Sequence, residues 1–234
     1  MTARPPDQSL VSNETRNRVR GIARPIALAL GRLGLTPNGL TVIGFVGTCV
    51  GAVAAANQSW LIAGILVIAF GIFDMFDGAL ARATGKASPF GAFLDSTLDR
   101  TGESLVLAGV AYGAAVAGSP VIAGLAAAAI AFASVVTYAR AKAEVIGIRG
   151  DVGIAPRPER LVILAVGLAL ASLPWTAASD LGRGSTWLGV AVGLIAVLSA
   201  ITIVQRIITV RRQLEQQNPT RQEADGAGHG HDQR

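Results

Sequence analysis

Long apolar runs, separated by short polar breaks, dominate the chain from residue 38 onward. Six of them, at about 38–56, 59–81, 91–117, 119–143, 159–178 and 186–210, approach the ~20 residues an α-helix needs to cross a bilayer. Asn57-Gln58, Gly118-Ser119-Pro120 and the stretch from Pro174 to Ser185 are expected to turn the chain on one side; residues 82–90 and the Gly-, Pro- and Arg-rich 144–158 do so on the other. The second and third runs are the least apolar. Before them, residues 14–34 alternate Arg16, Arg18, Arg20, Arg24 and Arg32 with Val19, Ile22, Ile26, Leu28, Leu30 and Leu33, the pattern of an amphipathic helix lying on a membrane surface. Thr36-Pro37-Asn38 then breaks and restarts the chain, with proline near a helix start. The expected architecture is an all-α integral membrane protein: a juxtamembrane helix over 14–36, six transmembrane helices over 37–210, and disordered ends at 1–13 and 211–234.

Composition supports that class. Of 234 residues 51% are hydrophobic and 15% charged, and the mean hydropathy is +0.51, values outside the range of soluble domains. Residues 1–20 carry no apolar core, so no cleavable signal peptide is expected. A single cysteine, Cys49, excludes a disulfide within the chain. The net charge of +5 points to topology and anionic headgroups, not nucleic acid. All lysines and arginines except Arg100 and Arg183 fall in the N-terminal segment, in 82–90, in 140–160 or from Arg206 onward. The positive-inside rule then puts both termini in the cytoplasm, in a cell-membrane protein. The tail histidines, in Gly226-Ala-Gly-His-Gly-His231, read as incidental rather than as a metal site.

Against this apolar background stand four aspartates, Asp74, Asp77, Asp95 and Asp99. A carboxylate at membrane depth costs a few kcal/mol or more unless paired or solvated. Asp74 and Asp77 are spaced i, i+3, and Asp95 and Asp99 i, i+4, so each pair shares a helix face. Counting outward from the loop centre near residues 86–87, Asp74 and Asp99 are equally distant and Asp77 nearly matches Asp95. Two antiparallel helices therefore bring all four to similar depth, two to three turns from the loop. Gly78, Gly91 and the alanines at 79, 81 and 92 remove bulk around them. Oxygen ligands without His or Cys suit Mg²⁺ or Mn²⁺, and two such ions form the usual clamp for displacement at phosphorus, with one carboxylate available as general base. Arg82 lies on the shoulder where a diphosphate would sit. A divalent-cation transporter also uses intramembrane carboxylates and remains an alternative of another class. A purely structural network fits less well, because Arg82 and Arg100 cannot balance four anions. Gly47-xxx-Gly51 and Gly109-xxx-Gly113 read as helix-packing contacts.

The full spacing, Asp74-x2-Asp77-Gly78-x2-Ala81-Arg82-x8-Gly91-x3-Asp95-x3-Asp99, resembles the defining motif of the CDP-alcohol phosphotransferase family without a departure. The resemblance implies transfer of a phosphatidyl group from CDP-diacylglycerol to an alcohol with release of CMP. It implies metal binding by Asp74, Asp77 and Asp95, and a proton-acceptor role for Asp99, which also touches one ion. It further implies CDP-diacylglycerol contacts at Gly78, Arg82 and Ser88 and in the first-span segment Asn38, Gly39, Leu40 and Thr41, and a homodimer. Residues 138–160, with Arg140, Lys142, Arg157 and Arg160, and Arg206 near the end of the last run, are similar to the bacterial phosphatidylinositol-phosphate synthases of that family, whose acceptor is inositol 1-phosphate. The order of Arg140 and Lys142 is swapped relative to that pattern. A phosphorylated acceptor needs a cationic pocket beside the metals. Lys142, Arg160 and Arg206, from three helix ends, are the expected set, with Arg140 and Arg157 weaker. Glycerol 3-phosphate is the closest competing acceptor, since it needs the same kind of pocket.

Overall fold

The computed structural model describes residues 13–148, 153, 157–173 and 186–217; the expectations for 1–12, most of 149–156, Arg183 and the tail histidines lie outside them. All regular structure among the described residues is helical, in seven elements: α1 (Asn13–Arg32), α2 (Pro37–Ala56), α3 (Trp60–Thr84), α4 (Pro89–Val116), α5 (Pro120–Val145), α6 (Arg157–Ala171) and α7 (Thr186–Gln217). Polar caps and prolines start α2 and α4 where the turn residues predict. Thr36 Oγ1 and Ser88 Oγ accept the Gly39 and Gly91 amides, each followed by proline in the first helical turn, which satisfies orphan amides and pre-sets the first turn. Gly85, at φ +67°, closes α3 in the left-handed conformation that glycine tolerates.

α3, α5 and α7 run past the ends of their apolar stretches, α7 to Gln217. Residues 211–217 are thus helical where a disordered tail was expected. Hydropathy marks the part of a helix that is apolar, whereas the backbone ladder continues while i, i+4 pairs such as Arg211–Glu215, at 2.8 Å, support it.

The helices pack in a closed circuit, α2–α4–α5–α7–α6–α3 and back to α2, with α1 docked on α3. Its apolar centre includes Val106, Val110, Ile122, Leu164, Leu168, Leu188, Val192 and Ile195. The glycine pairs serve close packing, as expected. Gly47 receives the Phe70 ring of α3, while Gly109 and Gly113 lie against the Ala52 and Ala55 carbonyl oxygens. α2 can therefore sit between α3 and α4. Those two helices each pack along α2 instead of mainly on one another, which modifies the simple hairpin expected from the loop length.

α2, α3, α5 and α7 are long and apolar enough to cross a membrane. Their outward faces carry exposed Val46, Val50, Val53, Ile62, Ile65, Val121, Val190 and Val197, surface that a bilayer rather than water would solvate. α4 falls below that hydropathy because it holds Asp95, Asp99, Arg100 and Glu103, and the described part of α6 has 15 residues. α1 meets α3 through small residues, Ala23 and Ala27, buried with Leu40, Ala79 and Leu80. Its larger Ile26, and Leu33 just past its end, stay exposed, the arrangement of an amphipathic helix at a bilayer edge.

Candidate active site

The last turns of α3, the first turns of α4 and the first half of α2 come together at one end of the bundle, and α2 supplies the floor. Asp74 Oδ1 rests against Gly44 so closely that a methyl group there would approach to 2.7 Å. Buried Thr41 donates its hydroxyl to Asp77 Oδ2 at 2.6 Å, and the Gly78 amide donates to Asp77 Oδ1. Asp77, 6% exposed, is thus oriented through both oxygens. Asp74 and Asp99 line one hollow of about 10 Å³ with Thr41, Phe45, Thr48, Leu98 and Gly102. Asp74 and Asp99, equally distant from the loop centre in the count along the chain, meet in this hollow.

The donor set is oxygen only, and the hollow between Asp74 and Asp99 is close to the size of one water-like sphere. Both features fit a hard divalent cation. Among the described residues no three acidic, histidine or cysteine side chains converge closely enough to enclose an ion as they stand. Thr41→Val, which removes a hydrogen bond that orients one of these carboxylates, is expected to raise the Mn²⁺ concentration for half-maximal activity about tenfold, read from a metal titration; an unchanged titration would deny Thr41 this role.

The residues expected to meet CDP-diacylglycerol divide. Ser88 caps α4. A methyl group on Gly91 would come within 3.1 Å of Asn38 Oδ1 and 3.2 Å of Ser88 Oγ, so the N-termini of α2 and α4 lie side by side and turn the positive ends of two helix dipoles toward the same region. Arg82 is exposed in the last turn of α3, its guanidinium 3.2 Å from where a Gly78 Cβ would stand. Gly39 presents backbone only, its amide donating to Thr36 Oγ1 at 3.1 Å. Two side chains depart from the expectation. Leu40 is fully buried among Ala23, Ala27, Ala79 and Leu80, and Thr41 turns to Asp77. Their helix faces away from open surface at these positions, since α1 and α3 cover it.

The expected acceptor cations have different immediate surroundings. Lys142 is exposed, its ammonium 5.8 Å from the centre of the Tyr138 ring, and Arg140 pairs with Glu144 at 2.8 Å on the surface. Arg206 donates to the Val136 carbonyl, which joins the Lys142 helix to α7. Arg160 is 2% exposed and is held by Glu103 through Nε–Oε1 at 2.7 Å and Nη2–Oε2 at 3.0 Å. The Arg157 side chain lies outside the described part. Reading the sequence missed Gly44, Phe45, Thr48, Gly102 and Glu103. Glu103 continues the four-residue step of Asp95 and Asp99, and Gly44 shares a helical face with Gly47 and Gly51, so both left a periodic signal.

Residues 34–213 match the CDP-alcohol phosphatidyltransferase family. The chain is 39% identical over 197 residues to the phosphatidylinositol phosphate synthase of Mycolicibacterium smegmatis, covering 81% of this chain and 84% of that one. Its fold matches the crystal structure of Mycobacterium tuberculosis phosphatidylinositol phosphate synthase with CDP-DAG bound, at a TM-score of 0.73 and 34% identity, covering 81% and 94% of the two chains. The same synthase in complex with manganese and citrate gives a TM-score of 0.72 and 35% identity, over 80% and 88%. The family match, on a helical bundle that carries an aspartate cluster at one end, defines a membrane-embedded transferase. The protein belongs to the CDP-alcohol phosphatidyltransferase family. It is a multi-pass membrane enzyme, which sets aside the cation-transporter alternative.

Proposed function

We propose that this protein transfers the phosphatidyl group of CDP-diacylglycerol to inositol 1-phosphate (1D-myo-inositol 3-phosphate), releasing CMP and forming phosphatidylinositol phosphate. The carrying observation is that Asp74 and Asp99 of the aspartate motif line one hollow in a chain that aligns along most of its length with a phosphatidylinositol phosphate synthase. Asp99 accepts the proton of an inositol hydroxyl. The resulting oxygen attacks the phosphorus that bears the diacylglycerol oxygen, and the bond from that phosphorus to the CMP oxygen breaks. Asp74, Asp77, Asp95 and Asp99 would hold two divalent cations, which when bound neutralise the diphosphate and the departing CMP. Thr41 keeps Asp77 turned to the site. Asn38, Gly39, Gly78, Arg82 and Ser88 surround the CDP end of the donor, while Lys142, Arg160 and Arg206 provide positive charge for the acceptor phosphate.

The same reading has six membrane spans, both termini and the site on the cytoplasmic side of the cell membrane, and a homodimer. Supporting six spans, α4 and α6 expose Phe93, Leu105, Val116, Val162 and Val166 outward, as the four more apolar helices do. The test is release of labelled CMP from CDP-diacylglycerol with Mg²⁺ or Mn²⁺, run against inositol 1-phosphate, free inositol, glycerol 3-phosphate and serine. Inositol 1-phosphate is expected to support turnover at least about a hundredfold better than the others, as a site built around a phosphate rejects an acceptor lacking it or shaped differently. A preference for glycerol 3-phosphate would overturn the acceptor assignment and leave the phosphatidyl transfer standing.

A further inference from the structure

Glu103 is a fifth carboxylate on the aspartate face of α4. It follows Asp95 and Asp99 at the same four-residue step, about 6 Å beyond Asp99 along the helix axis. It is matched by cations. The side chains of Glu103 and Arg160 are 5% and 3% exposed, and both carboxylate oxygens engage the Nε and Nη2 edge of the guanidinium. Arg100 Nη1 stands 3.5 Å from Oε2. α4 and α6 are not neighbours in the packing circuit, so this pair reaches across the interior of the bundle. A bidentate fork fixes the plane of a guanidinium as well as its position. Away from water, an arginine that loses such a partner is left as an uncompensated buried charge.

We propose that Glu103 is a positioning residue for acceptor recognition: it draws Arg160 across the bundle and sets the angle at which its guanidinium meets the acceptor phosphate. This rests on the reading of Arg160 as an acceptor-phosphate residue. Because Glu103 and Asp99 stand one turn apart on one rigid helix, the anchor of the phosphate and the base that takes the hydroxyl proton keep a set separation. Selection of a phosphorylated acceptor then follows from that separation, through a residue that touches neither substrate.

The test compares Glu103→Gln and Arg160→Gln in the full-length enzyme, with KM measured separately for inositol 1-phosphate and CDP-diacylglycerol. Glu103→Gln is expected to raise the KM for inositol 1-phosphate about tenfold and to keep that for CDP-diacylglycerol within about twofold. In the Arg160→Gln background it should add nothing further to the acceptor KM, because its effect runs through that guanidinium. Glu103→Asp keeps the buried charge balanced with a shorter reach, and about a threefold rise in acceptor KM is expected; it carries the test if Glu103→Gln does not fold. Equal rises in both KM values would make Glu103 a structural residue only and overturn the proposal. An acceptor KM raised by Arg160→Gln but by neither Glu103 variant would overturn it while sparing the reading of Arg160. If Arg160→Gln itself leaves the acceptor KM unchanged, that reading falls, and the proposal with it.

Discussion

Asp99→Asn should abolish sustained CMP release while CDP-diacylglycerol still binds with an affinity within about threefold of the parent, because an amide keeps the shape of the carboxylate and one oxygen but cannot accept a proton. Removing a positioned general base costs about 10²- to 10⁴-fold in rate. Asp99 also shares its hollow with Asp74, so part of any loss could come from weaker metal binding. Saturating Mn²⁺ separates the two contributions: a ligand defect is relieved by excess metal, and a missing base is not. Single-turnover CMP release at high Mn²⁺ is the measurement, and turnover near the parent rate would sink the assignment of Asp99 as base.

Gly109→Val is expected to have the largest effect on stability. A Cβ at Gly109 would collide with the Ala52 carbonyl oxygen, a backbone atom that cannot rotate away, and the next turn makes the same approach at Gly113 against Ala55. Overpacking a core costs about 1–3 kcal/mol, occasionally more, and a collision between two helix backbones belongs at the upper end. Separating α2 from α4 would also move Thr41, Gly44 and Thr48 away from the aspartates, so activity and stability should fall together. Gly124→Val is the matching control, since nothing lies within 4 Å of a Cβ there. Thermal unfolding in detergent should put Gly109→Val far below the parent and Gly124→Val close to it. Similar midpoints for the two variants would deny the Gly109 contact its role.

The candidate site divides along the same line between local and distant causes. The face-sharing of Asp74 with Asp77, and of Asp95 with Asp99, was legible because it depends only on the pitch of one helix. Thr41 illustrates the opposite case. Its partner Asp77 is 36 positions away, and nothing near Thr41 in the chain distinguishes a substrate contact from a carboxylate-orienting one. Arg160 is similar: the sequence singles it out as an acceptor cation, but its partner Glu103, 57 positions away, is visible only in the fold.

What followed from linear order was the set of apolar runs, their breaks, the carboxylate spacing and the glycine pairs, each a property of one segment and its own periodicity. Which helices became neighbours was decided only in three dimensions. The small residues of α2 and α4 allow a backbone approach that makes α2 the floor of the site and leaves α3 and α4 facing each other across it. Close packing selects one arrangement of helices from many that the same periodicities permit. That selection turned Gly44 and Thr41 toward the aspartates, buried Leu40, and carried Arg160 to Glu103.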